Sequence, residues 1–134
     1  MGIIIDTCVW IGLADGDISG EDVFDKVGDA EIFCSVITIG ELEFGLVSCA
    51  DSQKIGRRQR LLDALLAEFP IMNLATTTAK IFGRLATLLK KKTNPRSCYN
   101  DLWLAAQAVE AGFSLLTDNK NDFKNLPELQ LLTL

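Results

Sequence analysis

The sequence predicts an α/β fold, a three-layer sandwich with a mostly parallel central sheet flanked by helices. Three observations lead there. Short apolar runs alternate with amphipathic stretches in the order β-α-(α)-β-α-α-β-α-α-β. The runs are continuously apolar rather than alternating, as in strands buried on both faces. One helical stretch, 100–111, has no charge between Asp101 and Glu110, so it belongs in the interior.

Each element follows from local chemistry. Gly2–Ile5 is a buried strand ended by Asp6-Thr7, and a short helix over Thr7–Ala14 stops at Asp15-Gly16. Residues 21–27 make an exposed acidic helix, and 31–36 a second strand. Thr38-Ile39-Gly40-Glu41 fits a capping box opening a helix over 38–47. Residues 54–69 repeat leucines at three and four, with arginines on the other side, and Pro70 stops them. A short strand at 71–74 leads to a helix over 76–92 that ends in Lys90, Lys91 and Lys92, where cations suit the dipole. Helix 100–111 ends at Gly112, strand 113–116 follows, and 129–134 is the last strand.

The 134 residues suit one domain, residues 1–134, with neither repeat nor linker. Hydrophobic residues at 49% and charged residues at 23% exclude a disordered or low-complexity chain. No apolar run approaches the roughly 20 residues of a membrane span. The start, MGIIIDTCVW, has no basic region or cleavage site, so a cytoplasmic protein is expected. Four cysteines without a C-x-x-C pair, and no histidine, offer no structural zinc set. Reduced thiols serving as core or surface filler are expected. The missing histidine also removes Ser-His-Asp, Cys-His and imidazole-based RNA cleavage chemistry. Acid–base or metal work must rest on carboxylates.

Charge is unevenly placed around the net of −5. Residues 1–53 hold eleven acids against Lys26, a net of −10. Residues 54–96 hold ten bases against Asp63 and Glu68, a net of +8, and residues 97–134 hold two bases and five acids. Such a basic middle suits local polyanion binding as well as an ordinary solvated helix face.

Acids recur where ligands bind in parallel sheets, beyond the carboxyl ends of the strands. Asp6 ends the first strand, Glu41 lies in the helix after the second, and Asp101 heads the buried helix. Asp118 and Asp122 follow the 113–116 strand. Each has a plain structural role open to it: helix cap, capping box, dipole partner, turn residue. Converging on one edge, they repel one another unless a cation sits among them, and hard oxygen ligands suit Mg²⁺ or Mn²⁺.

The segments IIIDTCVW, SVITIGEL, NDLWLAAQAVEAG and LLTDNKNDF, in that order, resemble the PIN-domain ribonucleases, most closely the VapC-type toxins of bacterial type II toxin–antitoxin modules. The resemblance spans essentially the whole chain. It implies a PIN-like sandwich and a Mg²⁺- or Mn²⁺-dependent endoribonuclease acting as a toxin, leaving 5′-phosphate and 3′-hydroxyl ends. Its acids fall at Asp6, Glu41, Asp101 and the TDNKNDF loop. Asp6, Asp101 and Asp122 are the implied metal ligands, and Glu41 positions or deprotonates water. The family pattern T-x-N/D-x-x-D-F matches Asn119 and Asp122, which leaves Asp118 in reserve and Thr117 to orient a site carboxylate. Arg57, Arg58, Arg60, Lys90, Lys91, Lys92 and Arg96 are candidates for RNA phosphate contacts. The resemblance also implies a homodimer and a cognate antitoxin, with Trp10 and Phe44 as groove candidates beside plain core roles. Two rival readings stand apart: a receiver-like signalling domain, which wants paired acids at the first strand end, and a catalytically silent PIN-like interaction module.

Overall fold

The computed structural model describes residues 1–89 and 98–134. Five strands form one sheet in the order β3-β2-β1-β4-β5: β1 (Gly2–Ile5), β2 (Glu31–Ser35), β3 (Ile71–Met72), β4 (Ser114–Thr117) and β5 (Gln130–Thr133). Every pairing is parallel, with Ile3 opposite Ile32, Ile4 opposite Leu115, and Leu116 opposite Leu132. The helices are α1 (Thr7–Asp15), α2 (Gly20–Val27), α3 (Val36–Ser48), α4 (Ser52–Glu68), α5 (Thr76–Leu89) and α6 (Tyr99–Ala111). A 3-10 turn, Lys120–Asp122, follows β4.

Side chains alternate across a strand, so the apolar run of β1 feeds two cores. Ile4 and Leu115 pack on α5, α6 and the 123–129 segment, through Leu85, Leu102, Ala105 and Phe123. Ile3, Ile5 and Leu116 pack on the other side with Val9 of α1, Val23 of α2, Leu42 of α3 and Leu62 of α4. This is the expected three-layer arrangement, with α6 the most buried helix. Its end is set by Gly112, whose φ of 69° is cheap only for glycine and turns the chain into β4. Among the described residues no helix is long and apolar enough to cross a membrane.

Several boundaries differ from expectation. The first turn of α3 begins at Val36, and Ser35 is its cap, its hydroxyl accepting from the Ile37 N–H. The capping box at Thr38 and Glu41 does not exist, because Thr38 lies inside the helix and is fully buried. Likewise α4 is capped by Asp51, which takes the N–H groups of Gln53 and Lys54. Trp10, a groove candidate, is only 7% exposed and packs against Phe69 with ring centroids 5.4 Å apart. Phe44 is 74% exposed.

The strand order reverses at β1 and β4: successive strands run outward from β1 to β3 on one side and from β4 to β5 on the other. A crevice opens at the carboxyl end of such a switch point, and the segments leaving β1 and β4 line it.

Candidate active site

Asp6 leaves β1 at this crevice. It stands at the cap position of α1 but makes no side-chain cap bond. Its carboxylate faces across the sheet instead, where Thr117 at the end of β4 donates to Oδ2 at 2.8 Å. The Cys8 thiol, on the second residue of α1, donates to the same oxygen at 3.2 Å. Burial, the charge of Asp6 and its hydrogen bond push the Cys8 thiol up to about 11, so it stays protonated as a donor. Asp6 is buried and Thr117 completely so, which fixes this acid rigidly.

Glu41 projects from α3 toward the same edge. The Thr7 hydroxyl donates to its Oε1 at 2.8 Å and lies 2.9 Å from the Thr38 hydroxyl. A hydroxyl has one proton, so Thr7 spends it on Glu41 and accepts from Thr38. Burial pushes the Glu41 carboxyl above its ordinary range, and Asp6 adds to this. Hydrogen bonds from Thr7 and Asn100 pull the other way.

Asp101 is the third residue of α6, where the dipole favours its charge. The surroundings outweigh that benefit. Burial first, then the charges of Asp6, Asp122 and Glu41 and a hydrogen bond with Asp122, lift its carboxyl to about 7. Asp122 is therefore within electrostatic and hydrogen-bonding reach of Asp101. Its Oδ2 accepts from the Asn119 amide at 2.6 Å, and Asn119 N–H in turn bonds the Thr117 hydroxyl at 3.0 Å. Asp118 is exposed and is not among the charges that act on Asp101.

The geometry thus brings together Asp6, Glu41, Asp101 and Asp122, two strand ends and two helices meeting at one crevice. Among the described residues, no three of them already close into a coordination cluster. Their donors are all carboxylate oxygens, a set suited to a hard divalent cation, and their mutual repulsion is the strain such a cation relieves.

The model of the PIN domain family matches residues 3–129. The chain belongs to the PIN-domain family. Ribonuclease VapC of Rickettsia bellii (strain RML369-C) is 30% identical over 133 residues, covering 99% of this chain and 96% of that protein. Ribonuclease VapC4 of Mycobacterium tuberculosis (strain ATCC 25618 / H37Rv) is 27% identical over 131 residues, covering 98% and 95%. Among solved structures, VapBC2 from Rickettsia felis bound to a promoter DNA fragment shares the fold at a TM-score of 0.80 and 24% identity, covering 100% of this chain and 99% of that one. Membership in this family removes the receiver-like reading.

Within this PIN domain, four supporting residues escape a reading of acids alone. Thr7, Thr38 and Asn100 hold Glu41, and Cys8 holds Asp6. Their only sequence signal is position, since Thr7 and Cys8 follow Asp6, and Asn100 precedes Asp101. The expectation that cysteines are filler holds for buried Cys34 but not for Cys8, although none of the four is in a disulfide among the described residues. The basic candidates split. Arg57 and Arg58 are half-buried and pair with Asp15 at 3.4 and 3.8 Å, so they are not on an open helix face. Arg60 is exposed. Lys90, Lys91, Lys92 and Arg96 lie outside the described residues.

Proposed function

We propose that this chain is a Mg²⁺- or Mn²⁺-dependent endoribonuclease, the toxin of a toxin–antitoxin pair. The observation that carries the reading is the carboxylate cluster at the β1–β4 crevice, above all Asp101, whose carboxyl is lifted to about 7 by burial first and then by the charges of Asp6, Asp122 and Glu41. Membership in the PIN family and the VapC relatives, named as ribonucleases, support the activity. The VapBC structures of the same fold support a cognate antitoxin as partner, and a homodimer belongs to the same reading.

Asp6, Asp101 and Asp122 are the residues that would hold the cation. When bound, it neutralises their repulsion and polarises water and phosphoryl oxygens. The chain's own part is orientation and proton handling. Thr117 and Cys8 both hold Oδ2 of Asp6, which leaves Oδ1 without a claim from either donor. Glu41, raised by burial and anchored by Thr7 and Asn100, accepts the proton of the attacking water. Attack in line at phosphorus then releases a 3′-hydroxyl and leaves a 5′-phosphate. No imidazole is required, in keeping with a chain that contains none.

The test is cleavage by purified, antitoxin-free protein, with RNA ends sequenced. Cleavage with Mg²⁺ or Mn²⁺, abolished by EDTA and leaving 5′-phosphates, is the expected outcome. Full cleavage in excess EDTA overturns the metal-dependent reading.

A further inference from the structure

A phosphodiester held beside Glu41 carries a nucleoside on either side, and a flanking base lies no farther from the acid cluster than one nucleotide can reach. Directly beside Glu41 a cavity of about 550 Å³ opens between α1 and α3. One face of α3 builds its wall at helical spacing, from Val36 and Ile37 through Gly40 and Glu41 to Phe44, with Ile11 of α1 opposite and Asn100 at the edge. The cavity and the acid cluster share Glu41 and Asn100, so an occupant of the one touches the other. Phe44 leaves its ring 74% exposed, which is costly for a large apolar side chain with no partner. At Gly40 a side chain would meet nothing within 4 Å, so its absence keeps the slot open rather than relieving a clash.

We propose that this cavity receives one unpaired nucleobase of the RNA, flanking the scissile bond, with Phe44 as its stacking surface. The proposal rests on the endoribonuclease reading and names where that substrate docks. Three features select a base as occupant. An exposed aromatic face takes any base, because every base has a π-face. The apolar walls of Val36, Ile37 and Ile11 suit its flat body. Continuity with Glu41 puts it where the backbone of a bound strand delivers it. A base paired in a duplex cannot turn into such a slot, so the substrate at this position is single-stranded.

The probe is an oligoribonucleotide that the parent protein cleaves at a mapped bond, made also with an abasic residue beside that bond on the 5′ or the 3′ side. Cleavage of the unmodified strand by the parent tests the endoribonuclease reading itself. The subsite is tested by how variant and substrate combine. Phe44→Ala should lower kcat/KM on the intact strand on the order of tenfold, chiefly through KM, and Phe44→Trp should retain it. One of the two abasic strands should be cleaved as poorly by the parent as by Phe44→Ala, so the two losses do not add. Gly40→Leu, which narrows the slot at a position where an added Cβ meets nothing within 4 Å, should reproduce the Phe44→Ala pattern. Equal losses for Phe44→Ala on intact and both abasic strands overturn the proposal. So does unchanged RNA cleavage by Phe44→Ala with loss of antitoxin binding, which would assign the cavity to the protein partner alone.

Discussion

Asp118 and Asp122 lie four residues apart and are both exposed, but they face different neighbours. The chain leaves β4 at Thr117, and the turn that follows aims Asn119 and Asp122 at each other, whereas Asp118 is not among the charges that act on Asp101. Asp122 then bears on Asp101, and through it on the entire cluster. Removing the Asp122 charge should therefore cost catalysis what removing Asp118 does not. We expect Asp122→Asn to lower the cleavage rate at least about tenfold more than Asp118→Asn, roughly 1.4 kcal/mol of barrier. Titrating Mn²⁺ against rate for both variants checks this, and a greater loss in the Asp118 variant would displace Asp122 from the site. The register of this loop was legible in the sequence only through the spacing of Thr117 and Phe123. Phe123 is buried in the core and pins the turn, so that spacing has a physical basis. The supports of Glu41 were not legible. Thr7 and Thr38 are 31 residues apart, and only the packing of α1 against α3 makes them neighbours.

At the level of elements, apolar runs located the strands and apolar spacing the helices among the described residues, and the misread helix starts share a cause. A Ser or Asp one turn earlier took the cap, as Ser35 did from Thr38. Arg57 and Arg58 depart from the open helix face expected of them for a different reason. Asp15 is the last residue of α1, where a carboxylate opposes the helix dipole, and α4 supplies Arg57 and Arg58 to offset it. That pairing is invisible in a single helix's pattern. It separates two functions within one basic stretch. Arg58, 20% exposed, fastens α4 to α1, so Arg58→Gln should lower stability by about 1 kcal/mol in urea unfolding. Arg60 is exposed, at the rim of a shallow cavity lined by Trp10 and Leu13, so Arg60→Gln should change stability little. If the α4 face contacts RNA backbone, Arg60→Gln should also weaken RNA binding across sequences and reduce the slope of log affinity against log salt by about one. An unchanged slope would remove Arg60 from the RNA contacts.

For the molecule as a whole, the acid crevice sets stability against function, and the conflict has a pH signature. The folded protein lifts the Asp101 carboxyl to about 7 from an ordinary value near 4. Between those values the folded state binds a proton that the unfolded state has released. Stability contributed by this group is therefore greatest at low pH, falls as pH rises from about 4, and is fully lost above about 7. In EDTA, Asp101→Asn should match the parent near pH 4 and be more stable at pH 8. Full conversion of the shift overstates the gain for a half-buried group, so the expected difference is about 1–2 kcal/mol, several degrees in unfolding midpoint. A cation binds the ionised cluster, so Mn²⁺ at pH 8 should raise the parent's midpoint by mass action and raise that of Asp101→Asn far less. The two measurements are coupled. Parent and variant with the same pH dependence in EDTA would show that the cluster is not strained, and an equal Mn²⁺ response would show that Asp101 does not help to hold the ion.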